Sequence, residues 1–189
     1  MSLKFGYIVK LTRQNVMGIK AIIFDFGNTL IEQKVDSEYS LDELSLKLLP
    51  NVQHTLETLH CRYKIGLLSN TNMSTASHVS KALNQLCIGE FFDAVTTSYE
   101  MGVEKPDPRI FESILDEIGV SPTEAVMIGD DPEKDIKPAA RLGMKTGLFT
   151  KFLRPEIRLA DFQFTSYEDL PRCIELLEGA CRLEPLNPE

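Results

Sequence analysis

The sequence has no tryptophan and, in 189 residues, only three histidines and four cysteines. Cys61, Cys87, Cys173 and Cys181 stand far apart, with no Cys-x-x-Cys pair and no cysteine–histidine ligand spacing, which excludes the usual zinc and disulfide frameworks. They read as free thiols, and His54, His60 and His78 as surface or core residues of helices. No Gly-x-Gly-x-x-Gly follows a strand-like run and no Gly-Lys-Ser/Thr is present, so dinucleotide and P-loop readings fail. No apolar run approaches the roughly 20 residues that span a bilayer, and the N-terminus lacks a basic-then-apolar leader. Positive charge is the scarce kind: 20 lysines and arginines face 28 aspartates and glutamates, a formal net charge of −8. Such a surface repels nucleic acid, and it accepts a small anion only where a local cation or metal reverses the field. The expectation is a cytoplasmic protein with neither a membrane nor a nucleic-acid partner.

What is present is ordinary globular material. Hydrophobic residues make up 43% and charged residues 25%, and the length fits one domain with at most a small appendage. Met1-Ser2-Leu3 looks like a vector remnant, and Met17-Gly18 is a second candidate start. The expected division is an N-terminal extension over 1–19, a single domain over 20–180 and a tail over 181–189.

Along the domain, strand-like and helix-like segments alternate. Lys20 to Phe24 is a short, continuously apolar run, as in a central parallel strand covered on both faces. Ser40 with Glu43 reads as a capping box opening a short helix over Leu41 to Leu49, and Pro50 as the first residue of a helix reaching Cys61. Strands are expected at Lys64 to Leu68, Phe91 to Val95, Ala125 to Ile128 and Lys145 to Phe149, with Phe162 to Phe164 as a candidate edge strand. Ala76, Val79, Leu83 and Leu86 recur at helical spacing, and Asp107-Pro108 caps a helix whose apolar face runs from Ile110 to Ile118 before Gly119 stops it. Short helices are expected at Pro138 to Leu142 and Leu170 to Glu178. This order points to an α/β fold, a Rossmann-like open and mostly parallel sheet with helices on both faces.

Ligands of such sheets bind outside the C-terminal ends of the strands. There the sequence places Asp25-Phe26-Gly27-Asn28-Thr29, then Ser69-Asn70, then Gly129-Asp130-Asp131 through Asp135, with Lys105 on a loop entering a helix. A carboxylate, a hydroxyl, an ammonium and further carboxylates on one edge make a metal-plus-phosphate site. A carboxylate attacks phosphorus only when charge on both partners is neutralised, and Mg²⁺ on carboxylate oxygens together with Lys105 does this. Ser69 and the backbone N–H groups from Phe26 to Asn28 suit the remaining phosphoryl oxygens.

These four ordered motifs over roughly residues 20–150 resemble the haloacid dehalogenase superfamily of phosphohydrolases. The resemblance implies a Mg²⁺-dependent phosphatase that cleaves phosphomonoesters through an aspartyl-phosphate on Asp25. It makes Asp25, Ser69 and Lys105 catalytic. Gly27, Asn28, Ser69, Asn70 and Lys105 would bind phosphate, and Asp25, the Gly27 carbonyl, Asp130 and Asp135 would hold the metal, with Asp131 a further outer candidate. One residue departs from the pattern: the family usually carries a second aspartate, the general acid–base, where this chain has Gly27. The alternative is therefore a HAD-fold protein with weak or no catalysis that binds a phosphate ligand or a partner. Residues 31–49 are also too few for a four-helix cap, so no large cap domain is expected. An open site suits a bulky phosphorylated substrate, unless a homodimer neighbour roofs it.

Overall fold

The structure, a computed structural model, describes residues 7–9, 18–32, 40–153 and 160–179. Its frame is a seven-stranded sheet of β1 (Tyr7–Val9), β2 (Ala21–Phe24), β3 (Lys64–Ser69), β4 (Ala94–Thr97), β5 (Ala125–Gly129), β6 (Lys145–Phe149) and β7 (Phe162–Phe164). The spatial order is β1-β7-β6-β5-β2-β3-β4. Strands β2 to β7 all run parallel; β1 alone is antiparallel, and it lies within the segment read as an N-terminal extension. β7 is thus an inner strand, covered by β1. The vector-like Met1 to Leu3, Met17 and Cys181 lie outside the described residues.

β2 and β5 form the centre, and alternation along them feeds two cores. Ile22, Phe24, Ile65, Leu67, Val126 and Ile128 face α1 (Val52–His60), α2 (Ala76–Gln85) and α6 (Leu170–Gly179). Ala21, Ile23, Leu68, Ala125 and Met127 face α4 (Pro108–Ile118) and α5 (Lys137–Arg141). Among the described residues no helix is long and apolar enough to cross a membrane. α4 begins as expected, with Asp107 accepting a bond from the Arg109 N–H, and stops at Gly119, whose φ of 78° costs a glycine little.

Three local expectations are corrected. No helix forms over Leu41 to Leu49: only a single 3₁₀ turn, Leu41–Glu43, is present, and Leu44 is already extended. The Ser40 hydroxyl bonds the Asp42 carboxylate instead of capping the main chain. The rest of the segment is drawn alongside the turn after β2, through Glu32 N–H to Lys47 O at 2.9 Å and Leu49 N–H to Leu30 O at 2.9 Å. Second, α1 starts at Val52 rather than at Pro50, because Asn51 takes the left-handed conformation (φ 65°) just before it. Third, the strand expected at Phe91 sits later, at Ala94–Thr97, since Gly89–Phe91 forms a 3₁₀ turn and β-branched Thr96 and Thr97 pair with Leu68 and Ser69. The described part of residues 31–51 forms no cap domain.

The sheet centre is braced at its N-terminal end by Glu124. Its carboxylate meets Lys20 at 2.6 Å and accepts the Ser121 hydroxyl at 2.8 Å and the Ser121 N–H at 3.0 Å, tying the starts of β2 and β5 together. The Lys20 and Ser121 bonds hold its pKa down at about 2, against 4.5 unperturbed. A lowered folded-state pKa gives stability that is full above about 4.5 and is lost as pH falls towards 2. Glu124→Gln should therefore flatten the fall of the thermal midpoint across that acid window, measured against the parent from pH 6 to about 2.

Candidate active site

The C-terminal edge of β2, β3 and β5 gathers the polar residues into one pocket of about 180 Å³ lined by Asp25, Gly27, Asn28, Ser69, Asn70, Lys105, Asp130, Asp131, Lys134 and Asp135. Every site residue expected from the sequence is in this lining. At its centre is Lys105, whose side chain is 2% exposed. Its Nζ donates to Asp25 Oδ1 at 2.6 Å, to Asp135 Oδ1 at 2.7 Å and to Leu68 O at 3.0 Å. An ammonium has three donors, and all three are in use. Burial alone would favour the neutral amine, but Asp135 and Asp25 outweigh it and raise the pKa, so Lys105 stays charged.

Asp25 is held at both oxygens. Oδ1 takes the Lys105 bond, and Oδ2 accepts the Thr29 hydroxyl at 2.8 Å. Thr29 is in turn fixed from behind by Tyr167, whose hydroxyl donates to Thr29 O at 2.5 Å, and Thr55 of α1 donates to Tyr167 O at 2.9 Å. Burial, then Asp25 and Asp130, raise the Tyr167 pKa well above its ordinary value, so the phenol stays a donor. Sequence reasoning missed Tyr167, which lies far along the chain with no local signal; its near neighbourhood to aromatic Phe149 and Phe164 disguises it as core.

Lys105 is positioned by Asn70. The Asn70 amide accepts the Lys105 N–H at 2.8 Å and donates to Lys105 O at 3.0 Å, so its side chain clasps the lysine's own backbone. Ser69, 1% exposed at the end of β3, has its hydroxyl 3.5 Å from Asn70 O, a long contact that leaves it available to the pocket. Asn28 adopts a left-handed φ of 55°, a conformation asparagine tolerates better than most side chains.

The acidic motif is not a loop. Pro132–Ile136 makes one π-helical turn, with Ile136 N–H to Asp131 O at 3.4 Å and Lys137 N–H to Pro132 O, before α5 begins. The turn folds Asp135 back beneath β5, where its Oδ2 accepts the Asp131 N–H at 3.2 Å. Glycine is required at 129 for this: a Cβ there would lie 2.6 Å from the Asp135 Cβ. Asp131 caps the turn, Oδ1 accepting Glu133 N–H at 2.8 Å and Lys134 N–H at 3.1 Å. Lys134 is a second cation of the lining that the sequence reading did not single out.

Asp25, Asp130 and Asp135 bring carboxylate oxygens within 4.8 Å of one another. With one ammonium among them the cluster carries two excess negative charges. Burial, then Asp25 and Asp131, push Asp130 up to about 6, and burial raises Asp135 despite Lys105. Hard oxygen donors that resist ionisation for want of positive charge are what a divalent cation fits.

A family model for haloacid dehalogenase-like hydrolases matches residues 33–143. The chain belongs to this family. The glyceraldehyde 3-phosphate phosphatase of Methanothermobacter thermautotrophicus is 34% identical over 137 residues, 70% of this chain and 59% of that protein. The ribulose-1,5-bisphosphate 5-phosphatase of Halopiger xanaduensis is 38% identical over 109 residues, 58% of this chain and 44% of that protein. The HAD-like chain thus spans about half the length of the curated relatives it matches. Among solved structures, an uncharacterised protein from Listeria monocytogenes serotype 4b superposes with a TM-score of 0.74 at 28% identity, covering 85% of this chain and 99% of that one.

Gly129→Ala should push Asp135 out of the cluster and weaken divalent-cation binding by about 10–100-fold. The measurement is the Mg²⁺ concentration at which the thermal midpoint rises; an unshifted titration would mean that this fit does not hold Asp135.

Proposed function

We propose that the protein is a Mg²⁺-dependent phosphatase that hydrolyses phosphomonoesters through an aspartyl-phosphate on Asp25. The observation that carries this is the buried contact of Lys105 with Asp25 and Asp135, with Asp130 beside them. The phosphatase names of the relatives above are consistent with it, though residues 25–29 lie upstream of the span that the family model matches, so the nucleophile rests on geometry.

In the first step an Asp25 oxygen attacks phosphorus, a new P–O bond forms, and the bond to the ester oxygen breaks with its electron pair leaving on that oxygen. In the second, water attacks the same phosphorus and loses its proton to solvent, the P–O bond to Asp25 breaks with its electron pair returning to the carboxylate, and inorganic phosphate is released. Thr29 fixes the Asp25 carboxylate, so little orientation is lost on reaching phosphorus. Because all three Lys105 donors are already bonded, its contact with a phosphoryl oxygen is an exchange of partners, not a new bond. Ser69 and the backbone of Gly27 and Asn28 receive the remaining oxygens, and Asn70 holds Lys105 in register. Asp25, Asp130, Asp135 and the Gly27 carbonyl would hold Mg²⁺, which supplies Lewis-acid neutralisation of the phosphoryl charge.

Gly27 leaves the leaving oxygen without a positioned acid, so its proton comes from solvent. General acid–base help is worth about 10²–10⁴-fold, and its absence penalises alkyl esters more than aryl or acyl phosphates. The same glycine supports a second reading, a HAD-fold protein that binds a phosphate ligand with little turnover.

Hydrolysis of an activated aryl phosphate should require Mg²⁺, stop with chelator and vanish in Asp25→Asn; an Asp25→Asn rate equal to the parent's would leave the second reading. Gly27→Asp should raise turnover of an alkyl phosphate such as glycerol 3-phosphate by at least tenfold relative to an aryl phosphate. If the folded variant gains nothing, a water or another side chain already transfers the proton.

A further inference from the structure

Next to the phosphate pocket is a larger recess, about 790 Å³, which shares Asn28 and Asp130 with it. Its other walls come from the turn after β2, from Leu49, and from the residues that follow β6. The two cavities differ in chemistry. The smaller one is lined by carboxylates, amides and lysines, whereas the larger presents Ile31, Leu49, Phe149 and Phe152. Phe149 is braced, its ring centroid 5.3 Å from both Phe164 and Tyr167. Phe152 is the opposite case: 75% exposed, it is the most exposed of the large hydrophobic side chains among the described residues. Of its two acids, Asp130 is shared with the phosphate pocket and Glu32 pairs with Lys47 at 2.7 Å, while Lys151 adds a cation at the rim.

A recess of mixed lining that abuts a phosphate pocket, its apolar part made by Ile31, Leu49, one anchored and one exposed aromatic ring, is the shape expected for the organic part of a phosphate ester. The recess is too large for a three-carbon fragment to fill, and its rings offer an apolar body a stacking surface that a polyol cannot use. Gly27 points the same way independently, because an aryl oxide leaves without a proton donor. Resting on the phosphatase reading, we propose that this recess is the leaving-group subsite and that it selects phosphomonoesters with an aromatic body over small polar sugar phosphates. Specificity is then read by the core itself, from the ends of β2 and β6, with Phe152 closing over the ligand ring. Its exposure in the free protein is relieved on binding.

The test is binding to the Asp25→Asn protein in Mg²⁺, followed by calorimetry, so that no turnover intervenes. The probes are 2-naphthyl phosphate, glycerol 3-phosphate and inorganic phosphate. The expected result is that 2-naphthyl phosphate binds at least tenfold more tightly than glycerol 3-phosphate. Phe152→Ala should reduce that ratio by about fivefold, while Phe152→Tyr, which keeps a ring, retains most of it. Phe152 is exposed, so neither change threatens folding. Equal binding of the two esters, or a preference that survives Phe152→Ala, overturns the subsite while leaving the phosphate site intact. Failure of all three probes to bind at millimolar concentration overturns the phosphate site and the subsite together. A parent protein that binds with this preference but hydrolyses nothing overturns only the catalytic reading.

Discussion

Two carboxylates brought to the same buried ammonium share one positive charge, and its loss leaves both of them uncompensated in a poorly solvated place. Asp25 and Asp135 stand in this relation to Lys105. Breaking a buried pair by removing one member typically costs about 3–5 kcal/mol, more than most single contacts in a domain of this size. The structure around the trio is correspondingly specialised. Asn70 grips the lysine's backbone, Leu68 O takes its third proton, and Thr29 and Tyr167 hold the far oxygen of Asp25. Glycine at 129 leaves room for Asp135 to fold beneath β5. These contacts come from β2, β3, β5, the loop before α4 and the turn before α6, so the whole C-terminal edge of the sheet is organised by one charge.

Much of this was legible in the sequence because strand ends are conspicuous: an apolar run that stops at Asp25, Ser69 or Gly129-Asp130 announces both the strand and the polar edge. Parallel strands put such ends side by side, and order along the chain then suffices to assemble the pocket. Signals that depend on distant partners were not legible. Ser40 and Glu43 have the form of a capping box, yet the segment's backbone is claimed by Leu30 and Glu32, so tertiary pairing overrode a local preference. Tyr167 carries no local mark of its bond to Thr29, and the left-handed Asn51 that delays α1 is visible only in the folded backbone. The asymmetry is physical: periodicity and chain order encode which residues reach an edge, while side-chain partnerships across more than a hundred residues do not repeat in any local pattern.

Among the described residues no cap domain covers the pocket, so on the proposed phosphatase reading selectivity and water exclusion fall to the core. Here the described core offers two unlike compartments in contact, a small polar one and a wide one beside it that adds four apolar side chains. The division separates two tasks. Charge neutralisation is concentrated among Asp25, Lys105, Asp130 and Asp135, and shape is left to Ile31, Leu49, Phe149 at the end of β6 and Phe152 just beyond it. Within the second group Phe152 is exposed and free to vary, whereas Phe149 packs on Tyr167 and so is tied through Thr29 to Asp25.

The antiparallel strand at the sheet's margin bears on what it costs the chain to close the sheet. Tyr7 pairs with Phe164 and Val9 with Phe162, joining the beginning of the chain to a strand near its end. That pairing spans more than a hundred residues, so it closes a long loop. The pairings of β3 with β4, β5 with β6 and β6 with β7 connect nearer neighbours and carry a smaller loop-closure cost than the central pairing of β2 with β5. Closing the sheet thus costs most at two places, its centre and its β1 margin, where the paired segments are farthest apart along the chain.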